Sequence, residues 1–132
     1  MSEEKTSEIL AKELFDKWND LLQTKDKNNV AAMYSDDATF LPTLNGELKR
    51  GVEGAVGYFE HFLTKNPKGT IMESAIQESD DKSMILYSGL YNFEIGEENA
   101  REIVEARFTF AFQKNAEGEW RIVHHHSSLR PE

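Results

Sequence analysis

The chain reads as an α+β protein, with helices in its first half and strands in its second. Three observations carry this reading. Apolar residues recur at helical spacing up to about residue 65. From about residue 70 onward there are four long β-branched and aromatic runs. The runs are joined by short polar connectors, too short for crossovers, so the strands should form an antiparallel meander. Helices placed ahead of strands then gather on one face of the sheet.

At 132 residues, the chain has the size of one domain spanning 1–132. A hydrophobic fraction of 39% excludes wholesale disorder. The balance of 24 acidic against 15 basic residues, a formal charge of −9, argues against a nucleic-acid footprint. No run is long enough to span a membrane, and no secretory leader opens the chain. There is no cysteine. The missing leader and the missing cysteine together predict a cytoplasmic location, and no cofactor, nucleic-acid partner or membrane partner is expected.

Residues 1–6 are polar and expected to fray. A helix is predicted over 7–24, its buried stripe formed by Leu10, Leu14, Trp18, Leu21 and Leu22. Trp18 is its core anchor and its candidate for touching a ligand. Asp26 should cap a short helix running to Tyr34. Asp36 and Asp37 mark a turn, and Thr39-Phe40-Leu41 a strand that Pro42 pushes to a sheet edge. Asn45-Gly46 predicts a tight hairpin back through Leu48. A third helix runs from Val52 with Val56, Phe59, Phe62 and Leu63 inward, and Asn66-Pro67 ends it. Tyr58 and His61 flank its stripe, within reach of a pocket.

The predicted strands cover 70–78, 84–95, 101–114 and 119–128. In the second, Ile85, Tyr87, Gly89, Tyr91 and Phe93 share one side. In the third, Val104, Phe108, Phe110 and Phe112 lie opposite Glu105, Arg107, Thr109 and Ala111. Both sides carry apolar area, while a helical layer covers only one. The uncovered side therefore predicts a second copy of the chain, as a homodimer or a larger ring. Arg107 on such a strand needs either an acidic partner, for which Glu105 is placed, or an anionic ligand. In the last strand, strict alternation puts Trp120, Ile122, His124 and His126 on one face and Arg121, Val123, His125 and Ser127 on the other. A slip of one residue would exchange the faces. Imidazoles buried in a sheet require hydrogen-bond partners, so this strand is expected to floor a polar-lined pocket.

Several segments resemble one family in order along the chain: Phe40-Leu41-Pro42-Thr43-Leu44, Tyr58-Phe59-Glu60-His61-Phe62-Leu63, Gly89-Leu90-Tyr91-Asn92-Phe93, Glu105-Ala106-Arg107 and Trp120 through Glu132. They resemble the nuclear transport factor 2-like superfamily, which includes SnoaL-like and ketosteroid-isomerase-like proteins. Within it, the chain is most similar to the association domain of calcium/calmodulin-dependent protein kinase II and its free-standing bacterial relatives (the SgcJ/EcaC group). The resemblance implies a cone-shaped fold, with three N-terminal helices packed on a strongly curved, mostly antiparallel sheet around a central pocket. It also implies self-association through the sheet. The kinase domain's pocket carries several arginines. Of those positions only Arg107 keeps one here, and Gly89 and Ser127 stand at the others.

Three functions follow from these residues. The first is a self-associating module whose pocket binds a small polar or anionic molecule, with Arg107 supplying charge. Trp18, Tyr58, Tyr87 and Tyr91 would form its aromatic wall, and His124 or His126 would hydrogen-bond the ligand. The second is a SnoaL- or ketosteroid-isomerase-like enzyme acting on a small cyclic or polyketide-like substrate. His124 or His126 would serve as its base and a tyrosine as its donor. The third is a metal site on His124 and His126, with His61 or a glutamate as a third ligand. No complete ligand set is visible, so no metal is assigned.

Overall fold

A computed structural model describes residues 6–43 and 45–131. Helix α1 spans Ser7–Gln23. Thr6, at the end of the stretch expected to fray, caps it: its hydroxyl accepts from the Ile9 amide at 3.2 Å. The rest of that stretch lies outside the described residues. The buried face of α1 is Ala11, Phe15, Trp18 and Leu22. Asp26 caps α2 (Lys27–Ala31), accepting from the Asn28 amide at 2.9 Å.

Helix α2 stops short of Tyr34 because the chain enters the sheet there. The Ile122 amide donates to the Met33 carbonyl at 2.7 Å, and β1 spans Tyr34–Leu41. Asp36 and Asp37, expected in a turn, are exposed residues within this strand. Nor is β1 an edge. It lies between β2 (Lys49–Arg50) and β6 (Trp120–Leu129), and Pro42 follows its end. The expected tight hairpin is a longer loop, since Phe40 pairs with Lys49 and Thr39 with Arg50. Leu44, within that loop, lies outside the described residues.

Gly51 opens α3 (Gly51–Phe62) with φ +64°, where a Cβ would sit 2.7 Å from the Asp36 carbonyl oxygen. A 3₁₀ turn over Leu63–Lys65 follows, and Asn66 ends it in the left-handed region at φ 53°. The four long strands are β3 (Lys68–Glu78), β4 (Met84–Ile95), β5 (Glu102–Lys114) and β6 (Trp120–Leu129).

The sheet order is β2-β1-β6-β5-β4-β3. Every pairing is antiparallel except β1 with β6, which closes the meander in parallel. Register shifts at β3, between Ile71 and Glu73, and at β6 let the sheet bend around its helices. The concave side holds the core. Trp18, Tyr34, Tyr91, Phe59, Phe110 and Phe112 are each under 2% exposed or nearly so. Two polar side chains pin helices to strands. Asn19 bonds both the amide and the carbonyl of Gly69, each at 2.9 Å. Arg101 donates to the carbonyls of Asn66, Gly96 and Glu94 at 2.7–2.9 Å, tying the end of α3 to the β4–β5 turn.

Candidate functional site

The irregularity in β6 decides what the site contains. Phe112 pairs with Ile122, but Ala111 pairs with His124, so Val123 is an extra residue. A bulge of this kind reverses the alternation beyond it. Ile122, His125 and Ser127 therefore share the concave side and are buried. His124 and His126 turn to the convex side; His124 Nδ1 meets Thr39 Oγ1 at 2.7 Å, and His126 is exposed. The face assignment by strict alternation is thus corrected beyond Val123.

Between α1, α3 and the concave sheet lies a cavity of about 410 Å³. Trp18 and Phe40 line its floor, Gly57, Tyr58, Phe59 and Phe62 its helical wall, and Tyr91, Phe93, Ile95, Val104 and Ala106 its sheet wall. His125, Ser127 and Thr43 supply polar atoms at one end. Asn45, Glu47, Lys49, His61 and Lys65 form the remaining polar lining, and Glu47, His61 and Lys65 are exposed.

His125 is 1% exposed and sits in a ring sandwich. Phe110 stacks on one side with centroids 4.0 Å apart and Phe40 on the other at 4.7 Å, while Trp18 meets it edge-on at 5.6 Å. Its Nδ1 lies 2.9 Å from the Tyr34 hydroxyl and its Nε2 3.4 Å from the Tyr91 hydroxyl. Burial pushes its pKa well below the ordinary histidine value, helped by His124 and His126 nearby. Burial likewise pushes the hydroxyls of Tyr34, Tyr58 and Tyr91 up. At neutral pH this end of the cavity is polar and uncharged.

Of the residues picked from the sequence, Trp18, Tyr58 and Tyr91 line this cavity. Tyr87 is concave and buried, with its ring against Phe108 at 5.5 Å, but it borders a shallow groove between α1 and β3. Arg107 lies outside the cavity. It is exposed on the convex side, and its Nε donates to Ser128 Oγ at 3.1 Å. Its expected partner Glu105 instead pairs with Arg130 at 3.7 Å. The reason is parity: Arg107 alternates with Ala106 and Phe108, both buried in the core. His124 and His126 are absent from the lining for the same reason. Among the described residues, no three His, Cys, Asp or Glu side chains converge as a metal site. None of the described helices is long and apolar enough to cross a membrane.

The sequence left open which of His124, His125 and His126 faces inward; His125 does, and the polar or small site residues it did not single out are Ser127, Thr43 and Gly57. Only the bulge exposes His125 and Ser127 to the cavity, and a bulge at a valine leaves no mark in composition. Thr43 and Gly57 reach it through the path of a loop and the turn of a helix.

A curved sheet closed over helices around an aromatic cavity is the fold that this chain shares with solved ntf2-like structures. An ntf2-like protein with a cystatin-like fold from Novosphingobium aromaticivorans superposes with TM-score 0.74 at 10% identity, over 90% of this chain and 79% of that one. ActVI-ORFA from Streptomyces coelicolor gives 0.77 at 14% identity, over 90% and 94%. A protein from Xanthomonas campestris, described as a calcium/calmodulin dependent protein kinase II association domain, is far more similar. It is 37% identical over 97% of this chain and 91% of its own, with TM-score 0.91. A sequence profile of the calcium/calmodulin dependent protein kinase II association domain matches residues 5–131. The chain belongs to that family. No curated protein matches it.

Proposed function

We propose that this protein is a single-domain, self-associating module whose cavity binds a small molecule, mostly apolar with one polar end. The observation that carries the reading is the cavity itself. About 410 Å³ walled by aromatic and aliphatic side chains, with a few polar atoms at one end, is the usual form of a small-molecule site. The sequence alone suggested a polar or anionic ligand. With Arg107 on the other side of the sheet, the cavity end holds no guanidinium, and a neutral ligand suits it better.

Self-association is supported by the convex face. Ile103 is 64% exposed and Leu41 37%, and half-buried Leu86 and Leu90 lie on the same side. The family's association domain points to the same behaviour. Acid–base catalysis by His124 or His126 gains no support, since neither lines the cavity.

Gly57 provides the test. It faces the cavity from α3, and a Cβ there meets nothing within 4 Å. Gly57→Leu should fold, gaining about 1 kcal/mol in helix propensity, while filling the cavity. Small apolar compounds that raise the melting temperature of the parent should leave this variant unmoved. Equal shifts in both proteins would refute a ligand site here. For assembly, light scattering over a dilution series should show a dimer or larger species, and Ile103→Glu should lower its mass. A parent that is monomeric at high concentration would refute the convex interface.

A further inference from the structure

The polar atoms at the cavity's end form a single file. Trp18 Nε1 lies 3.3 Å from the Tyr34 hydroxyl, which lies 2.9 Å from His125 Nδ1. His125 Nε2 lies 3.4 Å from the Tyr91 hydroxyl. That hydroxyl meets Ser127 Oγ at 2.5 Å, and Ser127 Oγ meets Thr43 Oγ1. Five contacts therefore join six groups.

Each of the six groups brings one polar hydrogen when His125 is neutral, so one hydrogen is left over. Where it emerges depends on the first member. An indole nitrogen donates and never accepts, so the Tyr34 oxygen accepts from Trp18. The Tyr34 hydrogen then needs an acceptor of its own. Tyr34 is 2% exposed, packed against Phe40 and Phe59, and among its described hydrogen bonds only His125 Nδ1 can take that hydrogen. A hydrogen on Nδ1 would leave the Tyr34 hydrogen orphaned among aromatic rings, which buried polar groups rarely tolerate.

From Nδ1 the direction propagates. Nε2 carries the imidazole hydrogen and donates to Tyr91; Tyr91 then donates to Ser127. Whichever of Ser127 and Thr43 donates to the other, one hydroxyl hydrogen remains. Both residues line the cavity, and neither hydroxyl has a further acceptor among the described bonds.

We infer that the Trp18-Tyr34-His125-Tyr91-Ser127-Thr43 file is polarised toward the cavity and presents one unpaired hydroxyl donor there, so that the site takes an uncharged ligand burying an acceptor oxygen, such as a ketone, ester or lactone carbonyl. This deepens the ligand-site reading above and rests on it. The buried tyrosines and the neutral imidazole add no charge. A single hydroxyl donor does not replace the hydration of a carboxylate, which disfavours an anion at this end. An aliphatic or aromatic remainder would lie against Tyr58, Phe62 and Phe93.

Two measurements test this on the intact protein. The first needs no ligand. Long-range proton–nitrogen NMR of uniformly ¹⁵N-labelled protein should show His125 as the Nε2–H tautomer, with Nδ1 unprotonated. An Nδ1–H tautomer overturns the polarity, even if the cavity binds ligands. The second uses acetophenone labelled with ¹³C at its carbonyl, followed by infrared spectroscopy. The bound carbonyl band should fall below its position in alkane, toward that in an alcohol, and should be missing with Gly57→Leu. A bound band at the alkane position overturns the donor. A parent that shows no saturable bound band overturns the proposed ligand class. Failure of the underlying ligand site appears separately, as thermal shifts that Gly57→Leu leaves intact.

Discussion

His125 should make the fold sensitive to acid, and the size of the effect follows from its surroundings. The imidazole lies between Phe40 and Phe110, 1% exposed, with both nitrogens facing tyrosine hydroxyls. Its native pKa is held well below the ordinary value, chiefly by burial. In the unfolded chain it titrates near 6.5. Below that pH the unfolded state takes up a proton that the native state refuses, so native stability falls as pH falls. It is fully retained above the unfolded pKa. One proton refused over the interval from pH 7.5 to 5.5 amounts to about 1.4 kcal/mol. The perturbation is His125→Gln, which keeps a polar side chain but cannot be protonated. At pH 7.5 the variant should be less stable by on the order of 2–4 kcal/mol, from lost ring packing and buried hydrogen bonds. Its pH dependence between 7.5 and 5.5 should be flatter than the parent's by about 1.4 kcal/mol. Urea unfolding at fixed protein concentration, followed by tryptophan fluorescence, measures both. Groups that do not interact with His125 contribute equally to both proteins and cancel in the difference. Parallel stability–pH curves for the two proteins would refute the account of a buried neutral imidazole.

Two further outcomes are expected. Gly89 faces the bulged part of β3, where a Cβ would lie 2.0 Å from the Glu73 carbonyl oxygen and 2.8 Å from Ser74 Cα. Gly89→Ala should therefore cost on the order of 3 kcal/mol or more, because backbone cannot yield as a side chain does; a loss below about 1 kcal/mol in urea unfolding would contradict that close approach. Arg107→Ala should leave ligand-induced thermal shifts unchanged while altering the self-association constant in light scattering. Loss of the ligand response with unchanged assembly would return Arg107 to the cavity.

Much of the architecture was legible because it depends on local periodicity. The stripe of Leu10, Leu14 and Trp18 predicts α1, and the polar connectors at 79–82, 96–99 and 115–118 predict the meander. Alternation in β5 already set Arg107 opposite Phe108, which is where it stands. Its expected place in a pocket rested on the need of a strand guanidinium for a charged partner, and on family resemblance, against that parity. The loop over 42–48 and the early start of β1 were not legible. Both answer to partners distant in sequence: Met33 meets Ile122, and Phe40 lies beside His125.

The sequence by itself determined the α+β class, the succession of elements and the aromatic character of the core, because side-chain spacing acts within a few residues. Only the tertiary structure decided which imidazole enters the cavity. One unpaired residue at Val123 turns His125 and Ser127 inward and His124 and His126 outward. That choice is made by fit between β6 and its neighbours, and His125 becomes acceptable inside only because Tyr34 and Tyr91 arrive from other strands to bond it.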